Sequence, residues 1–272
     1  GKLLMKNDNK RNGLIINILS LIGFIIFWHV LVVLAREQIF NIPFMRLKDV
    51  PTPIETWYAL VGSMFTRTYG PGITYGIINH VEASLVRVIQ GGALALIIGV
   101  PVGIGIGYSR LIHNILNPII EIVRNMPPMA WIPLAIFILV SGGSIFIVFI
   151  GVVFPIILNT IYGVRSTDSR LIDAARMLGA SQAQIVTKVV IPSAFPSIIA
   201  GLRIGFGVGW MAIVAAEMVI RSPVGLGYFI WNMGDLGRYA EMVAGMIVIG
   251  VIGYFMNISI VLLQKRVIKW VD

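Results

Sequence analysis

The sequence contains no cysteine among its 272 residues, which excludes disulfide bonds and thiolate metal sites. Its three histidines, His29, His80 and His113, are scattered along the chain, so the sequence predicts no metal site. No stretch has the G-x-x-x-x-G-K-S/T spacing of a phosphate-binding loop, so this chain cannot itself cradle the phosphates of a nucleotide. Residues typical of a catalytic centre are also missing, and we predict that the chain is not an enzyme.

Charged residues are scarce. They make up 12% of the chain, about half of their share in an ordinary soluble domain, whereas 57% of the residues are hydrophobic. A soluble fold could not hide this much apolar surface, which excludes a large soluble enzyme. The net charge is +9, but the basic residues lie beside apolar runs, which indicates membrane topology and not nucleic-acid binding.

Six apolar segments are long enough to cross a bilayer, because about 20 helical residues span its hydrocarbon core. They cover residues 14–35, 81–108, 119–140, 145–164, 196–220 and 242–263. The first is too long for a signal-peptide core and has no cleavage pattern, so we interpret it as a retained span. The predicted fold class is therefore an all-α polytopic membrane protein with six transmembrane helices.

The connections between the spans divide the chain. Residues 52–65 predict a surface helix, since Thr52 can cap it and Glu55 falls in its first turn. Residues 109–118 are expected to form a short turn, and residues 221–241 a loop that dips in part into the membrane. Residues 1–79 hold the N-terminus, the first span and an extracytoplasmic segment, and residues 80–272 form the core domain.

Glycines recur at every fourth position in two of the predicted spans. Small residues at this spacing let helix backbones approach closely in lipid, so each stripe predicts a packed interface. The stripes are Gly99, Gly103 and Gly107 in the second span, and Gly201, Gly205 and Gly209 in the fifth.

The basic residues predict the orientation of the spans. With the N-terminus inside, twelve lysines and arginines fall in inner segments and six in outer ones, and four of those six lie in one long loop. Short inner loops carry the excess of basic residues in membrane proteins. We therefore expect both termini, and the polar segment 166–197, to be cytoplasmic.

Segment 166–197 carries the most specific pattern in the chain. Its spacing is Asp-Ala-Ala at 173–175, a glycine at 179, a valine at 189, and Ile-Pro at 191–192. Asp168 or Thr167 can cap a first helix, and a second short helix over 181–191 is expected to stop at Pro192. Amphipathicity alone leaves a plain linker resting on the membrane surface as an alternative.

This pattern resembles the cytoplasmic coupling loop of ABC-importer permeases, which reads Glu-Ala-Ala, three residues, Gly, nine residues, Ile, one residue, Leu-Pro. The differences, Asp173, Val189 and Ile191, keep the chemical type. In that family the loop sits in a groove of a separate ATPase subunit. The residues that the resemblance assigns to this contact are Asp173, Ala174, Ala175, Arg176, Gly179, Ala180, Ser181 and Pro192.

The resemblance extends over about residues 80–265 and is strongest to the nitrate, sulfonate, taurine and bicarbonate branch of these permeases. It implies a type I importer bundle, paired with a second permease subunit (a homodimer is favoured), two ATP-binding subunits and an extracytoplasmic binding protein. It also implies the prokaryotic cytoplasmic membrane, a small anion as substrate, and ATP and Mg on the partner subunits, with no cofactor in this chain.

Candidate residues of the translocation path lie around the proline-rich start of the third span and in the fifth. They are Arg124, Asn125, Met126, Pro127, Pro128, Trp131, Trp210 and Glu217. Ionisable groups and broken helices at membrane depth usually face a cavity. The alternatives are that Arg124 pairs with Glu121 or snorkels, and that the two tryptophans serve packing or anchor the chain at the membrane interface.

The sequence does not decide the roles of three further residues near the ends of the spans. Glu217 could pair with Arg221 or with a basic group on another helix instead of facing the path. His80 lies near the outer end of the second span, where a surface position is expected and a role in a gate is the alternative. Arg203 is expected at the inner interface.

A transporter or channel driven by an ion gradient is the alternative function, but it would favour paired intramembrane carboxylates or inverted repeats, and the sequence has neither. The third possible function is that of a membrane scaffold or an enzyme subunit without transport of its own.

Overall fold

A computed structural model describes residues 2–37, 47–65, 75–139, 141–220 and 222–267. Within these ranges the chain is helical, with no strand. The helices are α1 (Lys2–Arg36), α2 (Pro53–Ser63), α3 (Ile77–Tyr108), α4 (Arg110–Val123), α5 (Ile132–Ile138), α6 (Gly143–Arg165), α7 (Ser169–Met177), α8 (Gln182–Ile185), α9 (Ile191–Ile220), α10 (Leu226–Asp235) and α11 (Tyr239–Val267). Large apolar side chains remain exposed along many of them, as expected for helices that face lipid.

The all-helical membrane fold predicted from the sequence is confirmed. In the described part of the chain, five helical stretches are long and apolar enough to cross a membrane. They are Ile15–Arg36, Ile77–Tyr108, Gly143–Arg165, Gln182–Ile220 and Tyr239–Arg266. These correspond to the first, second, fourth, fifth and sixth predicted spans.

The third predicted span, 119–140, is not one continuous helix. Helix α4 ends at Val123, a 3₁₀ turn follows over Pro128–Trp131, and α5 adds only two turns. Prolines 127 and 128 explain the break, since proline lacks an N–H donor and disfavours the helical conformation of the residue before it. The broken geometry expected here is therefore present, with the break between Val123 and Pro128.

Helix α6 forms the centre of the bundle, and both predicted glycine stripes pack against it. A Cβ atom built on Gly103 of α3 would lie 2.6 Å from Cβ of Thr160, and one built on Gly201 of α9 would lie 2.7 Å from Cβ of Asn159. Both distances are too short for a real contact, so only glycine allows the backbones to come this close. The largest buried cluster joins α3, α6 and α9.

Two connecting segments differ from the sequence prediction. Residues 109–118, expected to be a short turn, begin α4, because Ser109 caps the helix and apolar residues recur at helical spacing beyond it. Pro118 lies inside this helix. Residues 221–241, expected to be a loop, contain α10, whose Leu226, Phe229 and Met233 are completely buried.

The predicted surface helix α2 begins as expected. Thr52 and Glu55 form a capping box, in which the Thr52 hydroxyl accepts from the Glu55 N–H and the Glu55 carboxylate accepts from the Thr52 N–H. Arg36 at the end of α1 donates to both carboxylate oxygens of Glu55 at 2.7 and 2.8 Å. The Arg36 hydrogen bond, followed by that of the Thr52 N–H, lowers the pKa of Glu55 to about 2.

Candidate functional site

The predicted coupling segment forms a short exposed helix followed by a tight cap. Asp168 caps α7 by accepting from the Arg170 N–H at 2.9 Å. After α7, Gly179 takes a φ of 77°, and the Ala180 N–H bonds back to the Ala175 carbonyl at 3.0 Å. This six-to-one bond defines a Schellman cap, which needs glycine because other residues rarely adopt the left-handed conformation.

One face of this segment rests on the bundle, while its tip is free. Ile172, Ala175 and Ala180 pack against a small buried cluster around Val164 and Ile185. At the tip, the side chains of Met177 and Leu178 are 84% and 88% exposed. Two adjacent apolar side chains held this far out by a rigid cap form a surface suited to a partner. Of the remaining residues, Asp173 and Arg176 form an exposed ion pair at 3.4 Å, and Ser181 caps α8.

The second half of the segment corrects the prediction about Pro192. The helix does not stop there: α8 continues through a π turn, Val186–Val190, directly into α9. Pro192 has no N–H to give, and the wider turn before it absorbs this loss, since the Ile191 N–H bonds to the Val186 carbonyl. Residues 182–220 therefore form one helical stretch that begins in the coupling segment and crosses the bundle.

At the opposite end of that stretch, Glu217 is completely buried in a polar network. Its carboxylate accepts from Arg87 Nη1 at 2.6 Å, from the Ser84 hydroxyl at 2.9 Å and from the Gly227 N–H at 3.1 Å. Arg87 and Ser84 both lie on α3, so the network joins α3 to α9. The basic partner on another helix, one of the alternatives for Glu217, is the one observed, whereas Arg221 lies outside the described residues.

The same network holds the segment before α10. Arg87 Nη1 also donates to the Val224 carbonyl at 2.6 Å, and the Leu226 N–H donates to the Ser84 hydroxyl at 2.9 Å. The Gly225 N–H donates to His80 Nδ1 at 2.9 Å, and His80 is completely buried. The expectation that His80 lies at the surface is therefore wrong, because helix α10 covers it. A side chain on Gly225 would collide with the Glu217 carboxylate.

The other predicted path residues lie in two places. Arg124 is paired with Glu121 at 2.7 Å, and Asn125 donates to the Glu121 carbonyl at 2.6 Å, both exposed at the end of α4. Next to them come Met126, Pro127, Pro128 and Trp131, and the Trp131 ring lies 6.4 Å from that of Phe146. Trp210 is separate: it is 5% exposed and donates to the Ile249 carbonyl on α11 at 3.1 Å.

The positions of the predicted path residues favour one alternative over the other for some of them, but they test no transport role. The burial of Trp210 and Glu217 favours packing and structural pairing for both. Arg124 has the pairing expected of the structural alternative, yet its side chain remains 37% exposed, so a role in the path stays a prediction. Sequence reasoning missed Ser84, Arg87 and Gly225, whose only signal was that Arg87 and Glu217 are opposite charges inside apolar helices.

Comparison with known proteins places the chain in a family. A family model described as "Binding-protein-dependent transport system inner membrane component" matches residues 95–272. The chain is 32% identical over 274 residues to a bicarbonate transport system permease protein of Synechococcus elongatus, covering 98% of this chain and 94% of that protein. It is 35% identical over 225 residues to a nitrate import permease protein of Synechocystis sp., covering 81% of each.

A solved structure supports the fold. The methionine ABC transporter MetNI, in an inward-facing conformation, contains a chain that superposes with a TM-score of 0.61 at 21% identity, covering 70% of this chain and 95% of that one. The chain therefore belongs to the binding-protein-dependent transport system inner membrane component family, which comprises permease subunits of ABC importers.

Proposed function

We propose that this chain is the transmembrane permease subunit of an ATP-driven importer of a small anion, and that it docks on its ATPase through segment 166–192. The observation that carries this proposal is the exposed tip of Met177 and Leu178 held by the left-handed cap at Gly179. An apolar tip of this kind is costly to leave in water, and it fits a groove on a partner subunit.

The coupling follows from chain continuity. Ile172, Ala175 and Ala180, on the other face of the segment, pack on the cluster that contains Ile185. Ile185 belongs to the stretch 182–220 that crosses the bundle. ATP-driven closure of two ATPase subunits would draw the tips of two permease copies together. Each copy would then tilt as a packed body, which is how alternating access proceeds by rigid-body motion.

The remaining parts of the assembly follow from the same proposal. Both termini and segment 166–192 are cytoplasmic, and the Glu217 network is at the outer face, where a binding protein delivers the substrate. ATP and Mg bind the ATPase subunits, and this chain holds no cofactor. A homodimer of permeases is the simplest arrangement, since a C₂ axis pairs identical subunits.

The substrate class rests on two of the relatives, whose names assign them to bicarbonate and to nitrate. Both are small planar oxyanions, and a sulfonate such as taurine presents similar oxygen acceptors. We therefore propose a small oxyanion of the nitrate, bicarbonate or sulfonate class.

A matched pair of glycines tests the docking role. Gly179 and Gly237 both have a positive φ, both follow a helix, and both sit in a cap closed by a six-to-one bond (Ala180 to Ala175, Arg238 to Met233). Leucine at either position therefore introduces the same backbone strain. Gly179→Leu should lose association with the ATPase subunits and vanadate-sensitive uptake, while Gly237→Leu should keep that association.

The readouts are co-purification of the ATPase and ATP-dependent uptake in proteoliposomes, with membrane insertion checked for each variant. Normal transport and normal co-purification by Gly179→Leu would show that the segment is not the docking element. Equal loss of association in both variants would attribute the effect to strain, which also contradicts the proposal. Uptake that continues without ATP would favour a gradient-driven transporter instead.

A further inference from the structure

Two arginines, Arg87 and Arg203, lie within the long apolar helices and differ in their partners. Arg87 on α3 is bonded to the buried carboxylate of Glu217. Arg203 on α9 has no carboxylate within salt-bridge distance in the described residues. It lies six residues beyond segment 166–197, about 9 Å at 1.5 Å per residue, and so within the predicted span 196–220.

The neighbours of Arg203 hold its guanidinium in place. Its Nε donates to Oδ1 of Asn257 on α11 at 2.9 Å, which leaves both terminal nitrogens without a hydrogen-bond partner among the described residues. Arg203 is thus anchored beside α11, and its closeness to the inner interface stays a prediction. A guanidinium fixed through Nε presents its two terminal N–H groups as a fork that matches two oxygens of a planar anion.

A cleft of about 530 Å³ opens at this position between α9 and α11. Arg203, Gly207 and Met211 line it from α9, and Asn257 and Gln264 line it from α11. Met211 is 72% exposed, and a Cβ atom built on Gly207 would meet nothing within 4 Å. The cleft is therefore open space that the described part of the chain does not fill.

Arg203, Asn257 and Gln264 are the polar residues of this cleft, whose other lining residues, including Ala200, Ile204 and Val208, are apolar or glycine. An uncompensated arginine inside the hydrocarbon region is costly, and such residues face a bundle interior or a water-filled cavity. The opposite side of α9 is occupied, because Gly201, Gly205 and Gly209 pack against α6. The stripe of Arg203, Gly207 and Met211 is thus on a side of α9 that α6 leaves uncovered, and Arg203 is the charged residue on it.

We propose that Arg203, positioned by Asn257, is an oxyanion-binding residue of the translocation path, and that the cleft between α9 and α11 is part of that path. This inference rests on the proposed function, since it names the residue that would meet the anion. The passing oxyanion supplies the negative charge that Arg203 lacks, and Gly207 leaves room for it beside the guanidinium.

The absence of cysteine from the chain gives a test that needs neither the natural substrate nor ATP. Gly207→Cys places one thiol next to Arg203, and Gly23→Cys places one on α1, where a Cβ atom also meets nothing within 4 Å. Both are single cysteines in the full chain, in membrane vesicles. The probes are a methanethiosulfonate bearing a sulfonate and one bearing a quaternary ammonium, and the measured quantity is the ratio of their reaction rates.

We expect Gly207→Cys to react with the sulfonate reagent, and Gly23→Cys to react with neither reagent. Adding Arg203→Gln should lower the sulfonate-to-ammonium rate ratio at position 207 by about tenfold, as expected for unit charges about 6–8 Å apart in a partly wet cleft. Arg203→Lys should keep most of the ratio, because it keeps the charge. The unfolding temperature of each variant checks that the fold is intact.

Two results would overturn the inference: a thiol at 207 as unreactive as that at 23, or a ratio that Arg203→Gln leaves unchanged. The thiol rates do not depend on docking to an ATPase. An importer that couples normally but gives an unchanged ratio therefore refutes the role of Arg203 alone. An altered ratio together with uptake independent of ATP refutes the proposed function alone.

Discussion

Arg87 and Glu217 lie 130 residues apart in the sequence and meet at 2.6 Å between α3 and α9. The carboxylate is completely buried, while the arginine side chain is 20% exposed. Through Val224 and Gly227 the pair also fixes the segment that leads into α10. The ion pair thus links two spanning helices to the connection that leads into α10.

Glu217→Gln should destabilise the protein by about 3 kcal/mol, because removing one partner of a buried pair leaves the other charge uncompensated. Arg87 would then face an amide, and the Gly227 N–H would keep only a neutral acceptor. Thermal unfolding of the purified chain in detergent measures the effect. Glu55→Gln is the control, since its ion pair with Arg36 is exposed and such pairs contribute about 1 kcal/mol or less. Equal shifts in the two variants would contradict a dominant role for the buried pair.

Gly201→Ala should destabilise the bundle, whereas Gly207→Ala on the same helix should not. The new methyl group at 201 would lie 2.8 Å from the Pro155 carbonyl oxygen, and overpacking of this kind costs about 1–3 kcal/mol. At 207 the methyl group meets nothing, and alanine is the better helix former. The unfolding temperatures of the two variants measure this difference in stability. A tolerated Gly201→Ala would show that α6 and α9 are not tightly packed in the membrane.

Arg124→Gln should reduce uptake more than it reduces assembly, if the exposed arginine at the break attracts the anion. Glu121→Gln is the matched control, because it breaks the same ion pair and leaves the guanidinium in place. Uptake is measured for whichever of nitrate, bicarbonate and taurine the intact importer carries, with ATPase co-purification as the measure of assembly. Equal uptake by Arg124→Gln and the unmodified chain would remove Arg124 from the path.

The stabilising effect of Glu55 should depend on pH in a defined window. Its pKa falls from an ordinary value of 4.5 to about 2 in the folded chain, so its contribution is complete above pH 4.5 and is lost as the pH falls to about 2. The difference in unfolding temperature between the unmodified chain and Glu55→Gln should therefore be constant near neutral pH and shrink in acid. A difference that is unchanged at about pH 2 would rule out the ion pair as its cause.

The residue pattern predicted the helical bundle and its closest contacts well, because hydrophobic length and glycine spacing are local properties of the chain. The stripes around Gly103 and Gly201 both pack on α6 as expected. The continuation of the helix through Pro192 could not be predicted in the same way. Whether a proline ends a helix depends on the turn before it, and a π turn at Val186–Val190 has no simple residue signature.

The site was less accessible from the sequence than the bundle. The partner of Glu217 depends on the rotation of α3 against α9, which packing across the whole core decides. For the same reason His80 looked like a surface residue: the helix that covers it, α10, lies in a segment with many glycines and turn residues. The coupling segment was easier, because its cap and its exposed tip are set by consecutive residues.

We propose that the continuous helical stretch from Gln182 to Ile220 transmits movement as a lever arm, with the π turn as its joint. Glu217 stands about 52 Å from Gln182 along the helix, so a tilt of about 5° at the cytoplasmic end displaces the carboxylate by roughly 4–5 Å if the rod stays rigid. The partners of this carboxylate on α3 would move with it, since each copy is proposed to tilt as a packed body. The π turn at Val186–Val190 is the place where this helical stretch is expected to bend. Its stiffness would determine how much of a movement at the cytoplasmic end reaches the outer end.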